Sequence, residues 1–283
     1  MNLKVRQATQ AGAFYAGTAK SLKAQIESCF LGKYGPGRLP KLNEKGERII
    51  KALVCPHAGY MYSGQVAAHS YYALAKDGIP NSIVIIGPNH TGMGSGVSIM
   101  DEGKWATPLG ELEIDSILAK EICKHSSIID IDEMAHKYEH SIEVQIPFLQ
   151  YIYGSKIKFV PICMMLQDLE TSIEVGEAIA KALSNKNSVV IASSDMTHYE
   201  PQEIAKKKDE LALNAIIELN EKKLHEVIEK ESISMCGYGP VTVAINASKS
   251  LGANEAKLLC YKTSGDITGD YGAVVGYASV LIA

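Results

Sequence analysis

The chain has 283 residues, 46% of them hydrophobic, enough to enclose a sizeable core. Its 28 Lys and Arg against 32 Asp and Glu give a net charge of -4, so the charge balance argues against nucleic acid as a partner. Residues 1–19 alternate polar and small side chains without the apolar stretch of a secretion signal. No apolar run reaches the about 18 residues that a membrane span requires, so a cytoplasmic protein with no membrane contact is expected. Six cysteines, at 29, 55, 123, 163, 236 and 260, form no C-x-x-C pair, which suits reduced thiols rather than a disulfide framework.

In chain order, Gly, Pro, Lys and Asn cluster over 32–47, a surface loop. Residues 52–56 read as a strand, 63–76 as a helix and 82–87 as a second strand. Ile142, Ile146, Leu149 and Tyr153 recur at helical spacing, and a strand at 158–164, a helix at 173–183 and a strand at 188–193 follow. After Pro201, Ile204, Leu211, Ala215 and Leu219 mark a long helix, and 241–251 mark another. The chain closes with β-like segments at 257–262 and 273–282. The four internal strands are rich in Val and Ile without alternation, as strands covered on both faces are. Strand and helix alternate, which predicts parallel βαβ units, and the final pair of strands adds an antiparallel edge. The expected fold is α/β, a single domain over 1–283 built as an α/β/α sandwich around a mixed, largely parallel sheet.

Three of those strands run into polar clusters: His57-Ala58-Gly59-Tyr60, Gly87-Pro88-Asn89-His90 and Ser193-Ser194-Asp195-Met196-Thr197-His198. The carboxyl ends of parallel strands open into one crevice, so these imidazoles and this carboxylate are expected to converge. Asp195 and His198 lie three apart, a spacing that on a helical turn lets the carboxylate orient the imidazole. Helix capping by Ser193, Ser194 and Asp195 is the plainer reading. Cys236 precedes Gly237-Tyr238-Gly239-Pro240 and a helix, a setting in which a thiol ionises more readily and becomes a metal ligand; a buried spectator thiol is the plainer reading. His136-Lys137-Tyr138-Glu139-His140 matches the H-x-x-E-H pattern of inverted zinc proteases, with both histidines on one helix face. Five residues in a chain with eight histidines are a weak signal, and Glu139 also suits the start of a helix. His69, His125 and His225 read as surface or satisfied histidines.

The ordered set of His57-Ala58-Gly59-Tyr60, Gly87-Pro88-Asn89-His90, Glu139-His140-Ser141-Ile142-Glu143, Ser193-Ser194-Asp195 with His198, and Cys236-Gly237 resembles the Memo family. Gly12-Ala13-Phe14-Tyr15 resembles that family's N-terminal signature. The resemblance implies a fold similar to class III extradiol dioxygenases. It implies iron or copper, with zinc as a further candidate, held by His57, His90 and Cys236. Asp195, His198 and His140 are the implied catalytic residues, and Tyr62, Phe14 and Glu143 the implied substrate contacts. A thiolate where those dioxygenases keep a carboxylate argues against simple transfer of ring cleavage. The implied function is that of a non-haem metal-dependent oxidoreductase acting on a small molecule. The alternative is a non-catalytic protein that holds a peptide, a phosphopeptide or a metal in the same crevice. The resemblance also implies a pathway link, in microbes, to a radical SAM protein. An apolar final strand leaves open whether it is interior or an edge that joins a second copy.

Overall fold

The computed structural model describes residues 4–283; residues 1–3 of the polar N-terminal stretch lie outside it. In chain order come β1 (Val5–Arg6), α1 (Ala19–Leu31), β2 (Ala52–Cys55), α2 (Tyr60–Asp77) and β3 (Ser82–Pro88). Next are β4 (Val97–Ile99), β5 (Lys104–Thr107), β6 (Gly110–Glu113), α3 (Ser116–Lys124) and β7 (Asp130–Ile131). Single-turn 3₁₀ segments at Met134–His136 and Glu143–Gln145 lead into α4 (Ile146–Tyr153), β8 (Lys158–Met164), α5 (Leu169–Leu183) and β9 (Ser188–Ser193). The last elements are β10 (His198–Glu200), α6 (Gln202–Ile217), α7 (Glu221–Lys230), α8 (Tyr238–Ser250), β11 (Ala256–Thr263), α9 (Ser264–Thr268) and β12 (Val274–Ile282).

The main sheet runs β10-β12-β2-β9-β3-β8-β4-β7, with β11 also paired to β12. Its centre is parallel: Val54 lies opposite Ala192, and Val84 lies between Val190 and Val160. β12 runs antiparallel to β2, and β4 antiparallel to β8, so the sheet is mixed around a parallel centre. The fold is α/β, as the alternation of elements predicts. The final strand is not an edge. β12 lies between β2 on one side and β11 on the other, and α9 separates it from β11 in the chain.

The unbroken apolar runs follow from two covered faces. Val54, Val84, Ile86, Val160 and Ile162 pack with Val175 and Ile179 of α5 and Val241 and Ile245 of α8. The alternate residues Leu53, Ile83, Ile85, Phe159 and Ile191 pack with Leu22 of α1, Tyr71 and Leu74 of α2, and Phe148 of α4. Successive strand residues thus enter opposite cores, so both sets are apolar through the middle of the central strands.

Helix starts are set by caps that hydrophobic periodicity does not report. α2 begins at Tyr60, ahead of the apolar pattern, because the Phe14 carbonyl accepts the Tyr60 N–H at 2.7 Å. α5 begins at Leu169 because the Asp168 side chain accepts the Thr171 N–H at 2.9 Å. Outside the main sheet, β1, β5 and β6 form a small second sheet. It buries Trp105, whose ring lies 4.0 Å below the Arg6 guanidinium.

Candidate metal centre

β2, β3 and β9 are parallel neighbours, so the residues that follow them emerge on the same side of the sheet. His57 follows β2 and is 2% exposed. Its ring Nδ1 lies 2.9 Å from Ser193 Oγ, which itself donates to the Ser141 carbonyl at 2.6 Å. With its only proton committed to Ser141, the Ser193 hydroxyl accepts from His57, so the network assigns the proton to Nδ1. His57 Nε2 is left with its lone pair, 3.2 Å from Cys236 Sγ. Burial, reinforced by the neighbouring His140, His90 and His198, holds the His57 imidazole well below its usual pKa.

His90 follows β3, and Glu139 grips it twice. Its backbone N–H donates to Glu139 Oε2 at 2.6 Å and its ring Nδ1 to Oε1 at 2.9 Å. A carboxylate only accepts, so the Nδ1 proton is fixed here too and Nε2 is free. Glu139 is fully buried and also takes the backbone N–H groups of His140 and Ser141, each at 2.9 Å. Burial alone raises the Glu139 pKa, but the His90 bond and the two neighbouring imidazoles overcome it and hold the carboxyl at about 2.

Cys236 sits just before α8. The Asp195 backbone N–H donates to its sulfur at 3.3 Å. The adjacent turn is locked, since Gly237 N–H donates to Ser194 Oγ at 2.9 Å while Gln167 bridges the Cys236 carbonyl and the Gly239 N–H, both at 2.9 Å. Position before a helix does not ionise this thiol, contrary to the expectation from sequence. Those N–H groups are spent on Ser194 and Gln167, while burial and the Asp195 charge push the thiol pKa well up. A bound cation reverses that balance, because a coordinating thiol loses its proton.

The ligand atoms of His57, His90 and Cys236 all lie within 4.8 Å of one another. Donors held at about 2.0–2.3 Å from a shared ion stand roughly 3–4 Å apart, and the 3.2 Å between His57 Nε2 and Cys236 Sγ falls in that range. A second set, His90, Glu139 and His140, meets the same criterion. Glu139 already accepts four N–H groups there, which suits it to orienting His90 rather than to ligation. The His140 ring stacks on His90 at 4.4 Å and packs against Phe14 at 4.7 Å. Burial lowers the His140 pKa to about 4, against the pull of Glu139.

The crevice over this cluster encloses about 660 Å³ and is lined by His57, His90, His140, Asp195 and His198, with Phe14 and Tyr62 among its walls. Two sequence-based expectations are corrected here. Asp195 makes no hydrogen bond to His198: its Oδ1 takes the backbone N–H groups of His57 at 2.8 Å and Ala58 at 3.4 Å. The backbone at His198 is extended and pairs with Val275, so the helical spacing does not apply, and His198 Nδ1 meets the Ser234 carbonyl at 2.8 Å instead. Burial raises the Asp195 pKa to about 6.

Glu143, expected among the substrate contacts, is fully buried away from the crevice lining. It pairs with Arg6 at 2.6 Å and accepts the Tyr15 hydroxyl at 2.6 Å and the Gln10 N–H at 2.9 Å. The zinc-protease pattern also fails. His136 ends a 3₁₀ turn and is fully buried against Trp105, and the following residues are not helical, so it shares no face with His140. Ser193, Ser234, the orienting role of Glu139 and Gln145, whose Nε2 donates to Ser193 Oγ at 2.8 Å, were missed; Ser193 lies within a quoted strand-end cluster, but no sequence signal names its partner.

The fold and the cluster define a class: an α/β protein with an imidazole and thiol donor set at the carboxyl ends of parallel strands. The model of the family described as Memo-like protein matches residues 6–281. A MEMO1 family protein of Methanocaldococcus jannaschii is 54% identical, covering 99% of each chain. One from Methanopyrus kandleri is 49% identical over 98% of each chain. The chain belongs to the Memo family. A crystal structure of an uncharacterized Escherichia coli K12 protein shares the fold with a TM-score of 0.56 at 14% identity, covering 83% of this chain and 100% of its own.

Proposed function

We propose that His57, His90 and Cys236 bind one transition-metal ion, iron or copper with zinc as a further candidate, and that the protein is a non-haem metal-dependent oxidoreductase acting on a small molecule in the crevice. The observation that carries this reading is the fixed tautomer of both imidazoles. Ser193 and Glu139 occupy the two Nδ1 atoms, which leaves both Nε2 lone pairs free, that of His57 lying 3.2 Å from Cys236 Sγ. A mixed imidazole and thiolate set suits those three metals better than magnesium or calcium. Such an ion would supply Lewis acidity and, for iron or copper, electrons.

The chain's own residues do the rest. His198, with Nδ1 tied to the Ser234 carbonyl, exchanges a proton at Nε2. Asp195 fixes the backbone that presents His57. His140 offers a second imidazole at the crevice wall, braced by Phe14, and Tyr62 closes the rim. Among the described residues no Lys or Arg lines the crevice, so in the alternative reading, a non-catalytic phosphopeptide binder, the bound ion would have to receive the phosphate.

The test is elemental analysis of anaerobically purified wild type beside Cys236→Ser, His57→Ala and His198→Ala. Near-stoichiometric iron or copper in the wild type and in His198→Ala, falling in the other two, supports the assignment. Full occupancy in Cys236→Ser and His57→Ala overturns the ligand set, and no uptake under reconstitution overturns the metal reading.

A further inference from the structure

A second cavity lies where β1 meets the segment 133–138, and its lining shares no residue with that of the crevice. It encloses about 390 Å³, a volume in the range of small-molecule sites. Arg6 belongs to this lining, yet its charge is turned inward. The guanidinium lies over the Trp105 ring and pairs with Glu143, so what Arg6 offers the cavity is its aliphatic stem. Val5 and the buried Met100 add apolar surface, and Met134 and Tyr138, each about half exposed, continue it to the mouth. Such walls suit a ligand with an apolar body, and methionine adapts to its shape.

Charge around this cavity leaves one cation over. Among the described residues Glu133 is the one carboxylate of the lining, and it pairs with Lys4. Arg6 is matched by Glu143. The nearby Asp132 does not line the cavity, and its carboxylate accepts the Met134 and Ser95 N–H groups, each at 2.8 Å. Lys137 makes no ion pair among the described residues, and its ammonium lies 5.2 Å from the centroid of the Tyr138 ring. The ion assigned to His57, His90 and Cys236 would add positive charge to this side of the balance. A carboxylate is the ligand group that an unpaired ammonium beside an apolar wall favours, through a charge-assisted hydrogen bond.

We infer that this cavity binds a small amphiphilic carboxylate, its apolar body among Val5, Met100, Met134 and Tyr138 and its anionic head at Lys137. The inference goes beyond the metal reading and does not depend on it. The cavity nevertheless adjoins the segment that orients His90, since Arg6 donates to the Glu139 carbonyl at 2.9 Å and Lys137 and Tyr138 run directly into Glu139.

The experiment is NMR of the full chain with labelled methionine methyl groups, metal content being measured on every sample. Two of the nine methionines, Met100 and Met134, line this cavity, and none lines the crevice. Met100→Leu and Met134→Leu assign the two signals. The probes are octanoate and octylamine, which share a chain and differ in the sign of the head group, both kept below the concentration at which they form micelles. Octanoate is expected to shift both signals saturably and to bind about two- to fivefold more tightly than octylamine, the scale of one exposed charge pair. Lys137→Gln is expected to remove that preference, and Met134→Asp to abolish the shift at Met100 with the remaining methyl signals in place. Cys236→Ser is expected to show the octanoate shifts of the wild type, which separates this cavity from a carboxylate bound to an ion in the crevice. Equal or tighter binding of octylamine, no saturable shift of the two signals, or their loss in Cys236→Ser overturns the inference and leaves the metal reading standing. Shifts that appear only after deletion of residues 1–3 assign the cavity to the chain's own start and overturn it as well. Octanoate shifts in wild-type protein that takes up no metal support the inference and count against the metal reading alone.

Discussion

One carboxylate, Glu139, holds both the main chain and the ring of His90, at 2.6 Å and 2.9 Å. The ring proton is thereby fixed on Nδ1 and the loop after β3 is fixed with it. Glu139→Gln replaces one acceptor oxygen with a donor, so at least one of four N–H groups loses its partner and the His90 tautomer is freed. Metal affinity is expected to fall about 10- to 100-fold, the usual loss when an orienting carboxylate is removed. Stability is expected to fall by about 1–3 kcal/mol, the cost of leaving a buried donor unmatched. Chelator competition and thermal unfolding check the two effects, and unchanged affinity removes the orienting role.

A second buried carboxylate, Glu143, meets its countercharge in Arg6, with the two side chains 0% and 6% exposed. Arg6 also donates to the His136 carbonyl at 2.6 Å and the Glu139 carbonyl at 2.9 Å, so it ties the N-terminal strand to the segment that carries Glu139. Arg6→Met leaves Glu143 charged and unpaired in the core, at an expected cost of about 3–5 kcal/mol in urea unfolding. Arg6→Lys recovers only part, because an ammonium does not reproduce the forked geometry. The Arg6→Met, Glu143→Gln double variant is expected to lose less than the sum of the singles.

The parts of this site legible in the sequence are those that a strand end announces. His57, His90 and Asp195 each follow a Val- or Ile-rich run, and parallel pairing makes such ends converge. Glu143 was misplaced because a carboxylate in a polar motif reads the same whether it faces solvent or a buried arginine, and its arginine is 137 residues away. The Asp195–His198 spacing misled for a related reason: pairing of His198 with Val275, 77 positions on, overrides the local helical option. β4 and β7, at three and two residues, are too short for their periodicity to be read, and only their neighbours in the sheet define them.

His136 makes stability depend on pH. Neither ring nitrogen meets a partner in hydrogen-bond geometry, with the Ser98 backbone nearby, and burial with the adjacent Arg6 pushes its pKa down to about 3. Between about 6.5 and 3 the unfolded chain therefore binds a proton that the folded chain refuses. Stability from this group is present above pH 6.5 and falls on acidification, by up to about 1.4 kcal/mol per pH unit, until the folded pKa is reached. His136→Leu removes the proton from both sides, so its profile of unfolding free energy between pH 7 and pH 4 is expected to be flatter by up to one proton. Its metal content is expected to match the wild type, whereas loss of metal would reinstate the H-x-x-E-H reading.

Gly237 tests the turn that presents the thiolate. Its φ of -116° is open to any residue, so strain in the left-handed region is not the issue. The obstacle is space: a Cβ there would stand 2.4 Å from the Ser193 carbonyl oxygen and 2.8 Å from Ser194 Cβ. Backbone and a short, fully buried side chain cannot swing aside as the tip of a long one does. Gly237→Ala must therefore push the residues after β9 away from α8, and Cys236 moves with that turn. Metal–ligand distances keep within about 0.2 Å of their usual values, so a sulfur carried further than that is expected to bind the ion poorly. The expected result is metal content reduced as far as in Cys236→Ser, with the far-ultraviolet spectrum of the wild type. Full metal content in this variant would mean that Cys236 is not a ligand, because no rigid placement of its sulfur would then be needed.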